Sequence, residues 1–547
     1  MEDGKKYKFI ETSNNISSSG IRMQCTDKSH ADIIEKAKSI KLKLKVIPGI
    51  MPEGYEMKVN IPAKHRHTLH TENGEIFSGL QFEPSLSEYA YKRRSRVLRI
   101  AAISLILILI FFVIIMRVES VLYVRFNRIV YIYSIITAIY LLSRYLISFL
   151  YKPVPINYDF TPAVSIIIPC FNEEEWIQQT ILSCADQDYP IDKLEVILVD
   201  DCSNDNSMEK VEEIMHSLWE MDPIYDFKNR ISYMKMPENK GKREALAAGV
   251  KQAKHDLVVF VDSDSFLDPS AIRNLVQPFQ NPKMGGVTGR TDVANTYTNA
   301  LTKMQSVRYY IAFRVMKAAE SYFDAVTCLS GPISCYKKSI IMENLDAWLE
   351  QTFLGRKATF GDDRAMTNFV LKKHRTAYQD SAICSTIVPN KHKQFLKQQM
   401  RWKRSWLRET ILASRFMWKK EPIMAIFFYL GFLIPFLSPL IVVFNLFYIP
   451  IVNGIFPLIF LWGLGIMAFI MSAAHLLYRR SSIWMYGALF CVYYVGVLLW
   501  QMPIACVTFW KSTWGTRMTP HDISAATKRA RRKECKQRKA GAAVGNK

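Results

Sequence analysis

The chain has 547 residues, half of them apolar, and a formal net charge of +22. That length has room for several domains and a large core. Its ten cysteines do not suit a disulfide-stapled fold, because none falls in the two short loops expected outside the membrane, 117–128 and near 453.

In chain order, the first 98 residues are polar, and no cleavable signal peptide is expected at their start. "KLKLKVI", "YEMKVNI" and "IFSGLQFE" alternate like strands with turn signals between them, which predicts a small β-rich cytosolic region. His65, His67 and His70 lie close together but have no cysteine partners, so they read as a solvated loop and not as metal ligands.

Next come two apolar stretches, 100–116 and 129–151, the second interrupted by Arg144. Crossing a bilayer as a helix takes roughly 20 such residues. Lys92, Arg93, Arg94, Arg96 and Arg99 crowd the near end of the first stretch and predict that this end is cytosolic. The chain then returns to the cytosol near Lys152. Further spans are expected at 423–452 and 454–478. A last apolar stretch, 482–510, contains Pro503; a re-entrant or interfacial path keeps the basic tail inside and fits the charge rule better than a fifth crossing. The tail, "KRARRKECKQRK", reads as a disordered segment on anionic lipid, and nucleic acid is not an expected partner.

The texture changes from Ala163 onward. The runs around Ile168, Val199, Ile231 and Val261 are short, apolar and separated by helical segments, as in parallel strands buried on both faces. The runs around Ile168, Val199 and Val261 end in polar or acidic loops, and ligands bind at such strand ends in open α/β sheets. Asp262 and Asp264, two apart in "VDSDS", suit one hard cation such as Mg²⁺ or Mn²⁺. Lys242 and Arg243 in "NKGKREAL" are placed to meet phosphates held by that cation. With no Walker loop and no GxGxxG, a nucleotide bound as leaving group is indicated. The pair Asp362–Asp363 in "FGDDRAMTN" has a simple alternative role as a helix cap. In "LKQQMRWKRSWLRE", Trp402 and Trp406 stand among cations on an amphipathic helix suited to a membrane surface, and their aromatic faces also suit sugar rings.

The ordered set "VDD", "DSD", "GDDR" and "QQMRW", flanked by spans, resembles the processive membrane-integrated family-2 glycosyltransferases, a group that includes hyaluronan, chitin and cellulose synthases. The resemblance covers roughly residues 95–520. It is greatest to bacterial-type hyaluronan synthases, through "NKGKREAL", "CLSGPISCYKKSII", "LKQQMRWKRSWLRET" and "WGTR". It implies an α/β fold, a GT-A-like mostly parallel sheet in the cytosol, combined with an α-helical transmembrane bundle.

The expected order is a cytosolic N-terminal region (1–98), a transmembrane hairpin (99–152), the glycosyltransferase domain (153–390) and amphipathic interfacial helices (391–421). Two transmembrane helices (422–480), a re-entrant segment with a gating loop (481–517) and a disordered tail (518–547) follow. The implied setting is the plasma membrane, with the catalytic domain and both termini cytosolic.

The resemblance also implies roles. Asp363 is the general base, with Asp362 and Arg364 beside it in the motif. Asp200, Asp201, Lys242, Arg243 and Asp262 hold the nucleotide, and Asp262 with Asp264 holds Mg²⁺ or Mn²⁺. Gln398, Gln399, Arg401 and Trp402 line the acceptor site, and Trp514, Gly515, Thr516 and Arg517 form the gating loop. UDP-sugars and a growing polysaccharide are the implied partners, with hyaluronan from UDP-GlcNAc and UDP-GlcA as the first reading of the polymer. Chitin-type, glucose–glucuronate and mannuronate synthases share much of the pattern. A transferase that adds one sugar to a lipid phosphate, or an inactive sugar-nucleotide receptor or transporter, are the readings that intact carboxylates and the "QQMRW" helix argue against.

Overall fold

The structure, a computed structural model, describes residues 7–510 except 52, 71–74, 93–99, 101–102, 105, 116–127, 222–225 and 480. The N-terminal region is β-rich as expected. Strands β1 (Thr12–Ile16), β2 (Gly20–Cys25), β3 (Ile40–Lys45), β4 (Lys58–His70) and β5 (Ile76–Phe82) form an antiparallel sheet in the order β1-β2-β5-β4-β3. Alternation in β4 turns Val59, Ile61 and Ala63 into the small core while neighbouring residues face outward. His65, His67 and His70 stand in β4 and not in the expected loop, because this stretch pairs with β5; His65 bonds Thr68 at 2.9 Å and the His67 ring lies against Gly79. No group of three potential metal ligands occurs among the described residues.

The large sheet has eight strands: β6 (Val164–Cys170), β7 (Leu194–Asp200), β8 (Ile231–Lys235), β9 (Leu257–Phe260), β10 (Ser265–Leu267), β11 (Met284–Val293), β12 (Ser334–Lys337) and, after a two-residue hairpin, β15 (Arg375–Thr386); the hairpin pairs β13 (Thr352–Phe353) with β14 (Arg356–Lys357). Their order is β10-β15-β11-β12-β9-β6-β7-β8. The pairings β9–β6, β6–β7, β7–β8 and β11–β15 are parallel, whereas β10–β15, β11–β12 and β12–β9 are antiparallel. The mixed half arises because β12 enters between β9 and β11 in the opposite direction.

All seven residues of β6 and of β7 are buried, which is why both read as largely apolar runs. Ile166 and Ile168 pack on one face with Ile177 and Ile181, while Ile167 packs on the other with Leu246 and Val250. Helix Lys242–Gln252 approaches so closely that a Cβ on Gly249 would lie 2.5 Å from Ile167. This second face also receives helices Lys338–Leu349 and Asp362–Lys373.

Among the described residues, three helices are long and apolar enough to cross a membrane: Ile132–Leu150, Pro422–Asn453 and Phe460–Tyr478. Leu433, Leu437 and Leu440 are exposed on the second, as a lipid-facing surface requires. Two apolar helices, Ile106–Ile115 and Tyr486–Leu498, are shorter. The "QQMRW" segment forms one helix, His392–Met417, instead of the several expected over 391–421, because no Pro or Gly interrupts it. Beyond Tyr486–Leu498, Gln501 returns to this helix and donates to the Leu396 carbonyl at 3.1 Å.

A buried ionic cluster joins the three parts of the molecule. Glu53 of the N-terminal region meets His475 at 2.9 Å, Arg479 at 3.5 Å and Ser306 at 2.7 Å. Arg479 in turn pairs with Asp292 of β11 at 2.5 Å. Burial alone would push the Glu53 carboxyl up, but His475, Arg479 and Ser306 together hold it down at about 2.

Candidate active site

At the carboxyl ends of β6 and β9 the chain leaves the sheet and opens a cavity of about 890 Å³. Asp262 and Asp264, on the turn between β9 and β10, both line it. The Lys242 ammonium donates to the Asp262 carboxylate and lines the same wall. Gly331 lets this carboxylate lie against the turn before β12, since a Cβ there would sit 2.9 Å from Asp262 Oδ2. The Asp264 carboxylate accepts from the Ser265 and Thr386 hydroxyls at 3.4 Å each. Two carboxylates on one wall provide the hard oxygen donors that a divalent cation requires.

Asp200 and Asp201 take other positions. Asp200 is fully buried and accepts the Ser203 N–H at 3.1 Å. Asp201 accepts the N–H groups of Lys240 and Gly241 at 2.8 Å each, fixing the loop that starts helix Lys242–Gln252. Asp201 borders a small cleft with Asn239 and Gly241 beside the cavity. Neither is among the residues lining the large cavity.

The "GDDR" motif begins helix Asp362–Lys373. Gly361 is the N-cap, with φ +81°, and the two aspartates form the first turn, where their charge favours the helix dipole. The expectation that an aspartate caps this helix is therefore corrected: the cap needs a left-handed backbone, which glycine adopts freely. Asp363 lines the cavity. Its Oδ1 accepts the Arg364 N–H at 2.8 Å and its Oδ2 accepts the Cys328 thiol at 3.3 Å. Burial, with the Asp363 charge second, pushes that thiol up to about 11, so it stays a donor at neutral pH. Arg364 also lines the cavity.

Asp362 is buried and paired with Arg243 Nε at 2.6 Å. Arg243 also donates to the Trp348 carbonyl at 2.8 Å and to Gln351 at 3.0 Å. Arg243 does not line the cavity, contrary to the expectation that it meets phosphate beside Lys242. Adjacent residues on a helix point about 100° apart, and only Lys242 turns toward the opening. Gln351 passes the network on to Glu409, which accepts from Asn368 and Arg408, and Arg408 donates to the Phe360 carbonyl. Helix His392–Met417 is thereby tied to the start of helix Asp362–Lys373.

That long helix supplies Gln398, Gln399, Arg401 and Trp402 to the cavity. Gln398 Oε1 and Gln399 Nε2 are buried without a hydrogen-bond partner. The opposite wall is the helix Ala300–Ile311 and its continuation, a π-helical turn at Ala312–Lys317. Tyr309, Phe313 and Lys317 all line the cavity, four residues apart. Such positions drift by about 40° per step on an α-helix, and the wider turn counters that drift. Lys317 donates to the Cys328 carbonyl at 2.6 Å and to the Ser330 hydroxyl. The cavity extends to Pro435, Tyr494 and Met502 of the apolar helices.

Trp514, Gly515, Thr516 and Arg517 lie outside the described residues. The residues missed at the sequence level are Arg308, Tyr309, Lys317, Cys328, Gln351 and Glu409. "CLSGP" draws attention to Cys328, but the others stand in helices or loops whose spacing gives no sign of a cavity.

Residues 165–345 match the family described as Glycosyl transferase family 2. The chain is 37% identical over 287 residues to a hyaluronan synthase of Streptococcus pyogenes serotype M3, covering 52% of this chain and 66% of that protein. It is 37% identical over 273 residues to an N-acetylglucosaminyltransferase of Rhizobium meliloti, covering 50% and 62%. The chain thus spans just under two thirds of the length of these relatives. A solved mannosyltransferase from Pyrobaculum calidifontis aligns with a TM-score of 0.48 and 20% identity over 69% of this chain and 97% of its own.

Proposed function

We propose that the chain is a family-2 glycosyltransferase, as the match over residues 165–345 and the 37% identity to a hyaluronan synthase support, and that it polymerises UDP-sugars into a β-linked polysaccharide and passes the product across a membrane. One observation carries this reading: a single cavity reaches from the Asp262, Asp264 and Asp363 carboxylates, past Trp402, to Pro435 and Tyr494. A transferase that released its product into water would need no such continuity with the apolar helices. Charge at the flanks of the apolar helices supports a cytosolic catalytic domain in a multi-pass protein of the plasma membrane.

In the proposed reaction Asp363 accepts the proton of the acceptor hydroxyl as its oxygen attacks the anomeric carbon of the donor sugar. The bond from that carbon to the diphosphate breaks, UDP departs with the bonding pair, and the anomeric centre inverts. Lys242 faces the departing diphosphate. Asp262 and Asp264 would hold Mg²⁺ or Mn²⁺, which when bound supplies further positive charge to the leaving group. Asp201 and its cleft lie beside this region and suit the uridine. Trp402 and Tyr309 offer aromatic faces to the acceptor sugar, while Gln398 and Gln399 offer unpaired polar atoms. The similarity to hyaluronan synthases favours UDP-GlcNAc and UDP-GlcA as donors.

The test is UDP release by the purified chain in lipid with Mg²⁺ or Mn²⁺, with the two donors separately and together. Strong synergy and a product cleaved by hyaluronan lyase are expected. A lyase-resistant product would overturn the choice of polymer, and absence of UDP release with every donor would overturn the reading as a synthase.

A further inference from the structure

Arg308 and Lys403 stand in the cavity wall with no acidic partner. Arg308, on helix Ala300–Ile311, has its Nη1 buried without a hydrogen bond. Its guanidinium lies 5.7 Å from the centre of the Trp402 ring and 5.5 Å from that of Phe490. Lys403 Nζ lies 5.7 Å from the centre of the Tyr494 ring and donates to Gln501 Oε1 over a long 3.4 Å. Among the described residues, neither cation forms an ion pair with an aspartate or glutamate. Burial, and then the charge of Arg308, lower the Lys403 amine to about 8. Burial likewise lowers Arg308. Two partly desolvated like charges facing one another weaken the empty protein, and an anion between them would reverse that penalty.

Position identifies the anion. Asp262, Asp264, Asp363 and Lys242 lie at the sheet edge, where the nucleotide belongs. The neighbours of Arg308 and Lys403 are Trp402, Phe490, Tyr494 and Gln501, all on the interfacial helix or the apolar segment after Arg479. This is the side on which product leaves. We propose that Arg308 and Lys403 form a subsite for the carboxylate of a uronate residue in the growing polymer, just beyond Trp402. This rests on the reading of the protein as a polysaccharide synthase and narrows its product to an acidic one. The planar guanidinium suits a carboxylate through paired N–H donors, and the aromatic rings on either side shield the pair from water.

The experiment uses the full chain in nanodiscs of zwitterionic lipid. Tryptophan fluorescence reports binding of a hyaluronan hexasaccharide and of the same hexasaccharide with its carboxylates reduced to alcohols. The acidic form is expected to bind roughly tenfold more tightly. Arg308→Gln and Lys403→Gln should each shrink that difference, and the double variant should abolish it. Arg308→Lys, which keeps the charge, should retain part of it, and rising salt should erode it in the unaltered protein, so the test survives if Arg308→Gln does not fold. Equal binding of the two hexasaccharides, or a difference that persists in the double variant, overturns the subsite. So does a loss of UDP affinity that accompanies Arg308→Gln, because the cations would then serve the nucleotide. Polymer formed without discrimination between the hexasaccharides defeats the subsite alone, whereas absence of UDP release with every donor defeats the synthase reading itself.

Discussion

Asp363 and Asp362 are adjacent in sequence yet meet different surroundings. Both line the cavity, but Asp363 has a thiol at its Oδ2, whereas Asp362 is buried and paired with Arg243. Asp363→Asn is expected to retain UDP binding and to lose at least roughly 100-fold in polymer formation, the usual contribution of a general base. Normal polymer yield from that variant would remove the base assignment. Gly361→Ala should also abolish synthesis, for a structural reason. Its Cβ would lie 1.8 Å from Ser405 Oγ, and the φ of +81° adds roughly 1–2 kcal/mol for any residue with a side chain. Pairing it with Ser405→Gly relieves the clash but not the backbone cost, so the double variant should recover only part of the lost thermal stability. The motif letters disclosed that these residues matter. They did not disclose which carboxylate is engaged by a cation, because that depends on helix phase and on Arg243, distant in sequence.

The strands that were legible are β6, β7, β8 and β9; β6, β7 and β9 are buried throughout, and only Ser165, Glu195 and Asp200 interrupt their apolar sequence. β11 was not legible. Its sequence "MGGVTGRTDV" reads as turn-rich, yet nine of its ten residues are buried. The glycines there answer to packing: a Cβ would meet His374 at Gly285, Leu329 at Gly286 and the Ala382 carbonyl at Gly289. The π-helical turn at Ala312–Lys317 was equally hidden, since nothing in its composition distinguishes it from the α-helix before it. Helices contribute to the site through their mutual ties as well. Arg243→Ala would leave Asp362 buried and unpaired and should cost roughly 3–5 kcal/mol, seen as a lower midpoint in thermal or chemical unfolding. Arg243→Lys should rescue little, because one ammonium cannot reach Asp362, Trp348 and Gln351 in the fork geometry that the guanidinium uses. An unchanged midpoint in Arg243→Ala would show that the network contributes nothing to stability.

At the scale of the molecule, the N-terminal sheet was foreseen from alternation, but its attachment was not. Glu53 sits in an irregular segment between β3 and β4, and its partners lie on other domains. Glu53→Gln should detach the N-terminal sheet, which limited proteolysis would detect as new cleavage before residue 90, with a loss of roughly 3 kcal/mol. Because the folded carboxyl is held at about 2, below its ordinary value near 4.5, its stabilising contribution is complete above about pH 4.5 and lost as pH falls through 2. Unfolding midpoints of the unaltered protein and of Glu53→Gln should therefore converge as the pH falls through the acid range. The cluster also has a consequence in time. Glu53 is synthesised long before Asp292, His475 and Arg479, so the first-made domain must wait, its acidic side chain in water, until the last helix of the cluster has left the ribosome. Docking of the N-terminal sheet through this cluster therefore cannot be completed before Arg479 has been synthesised.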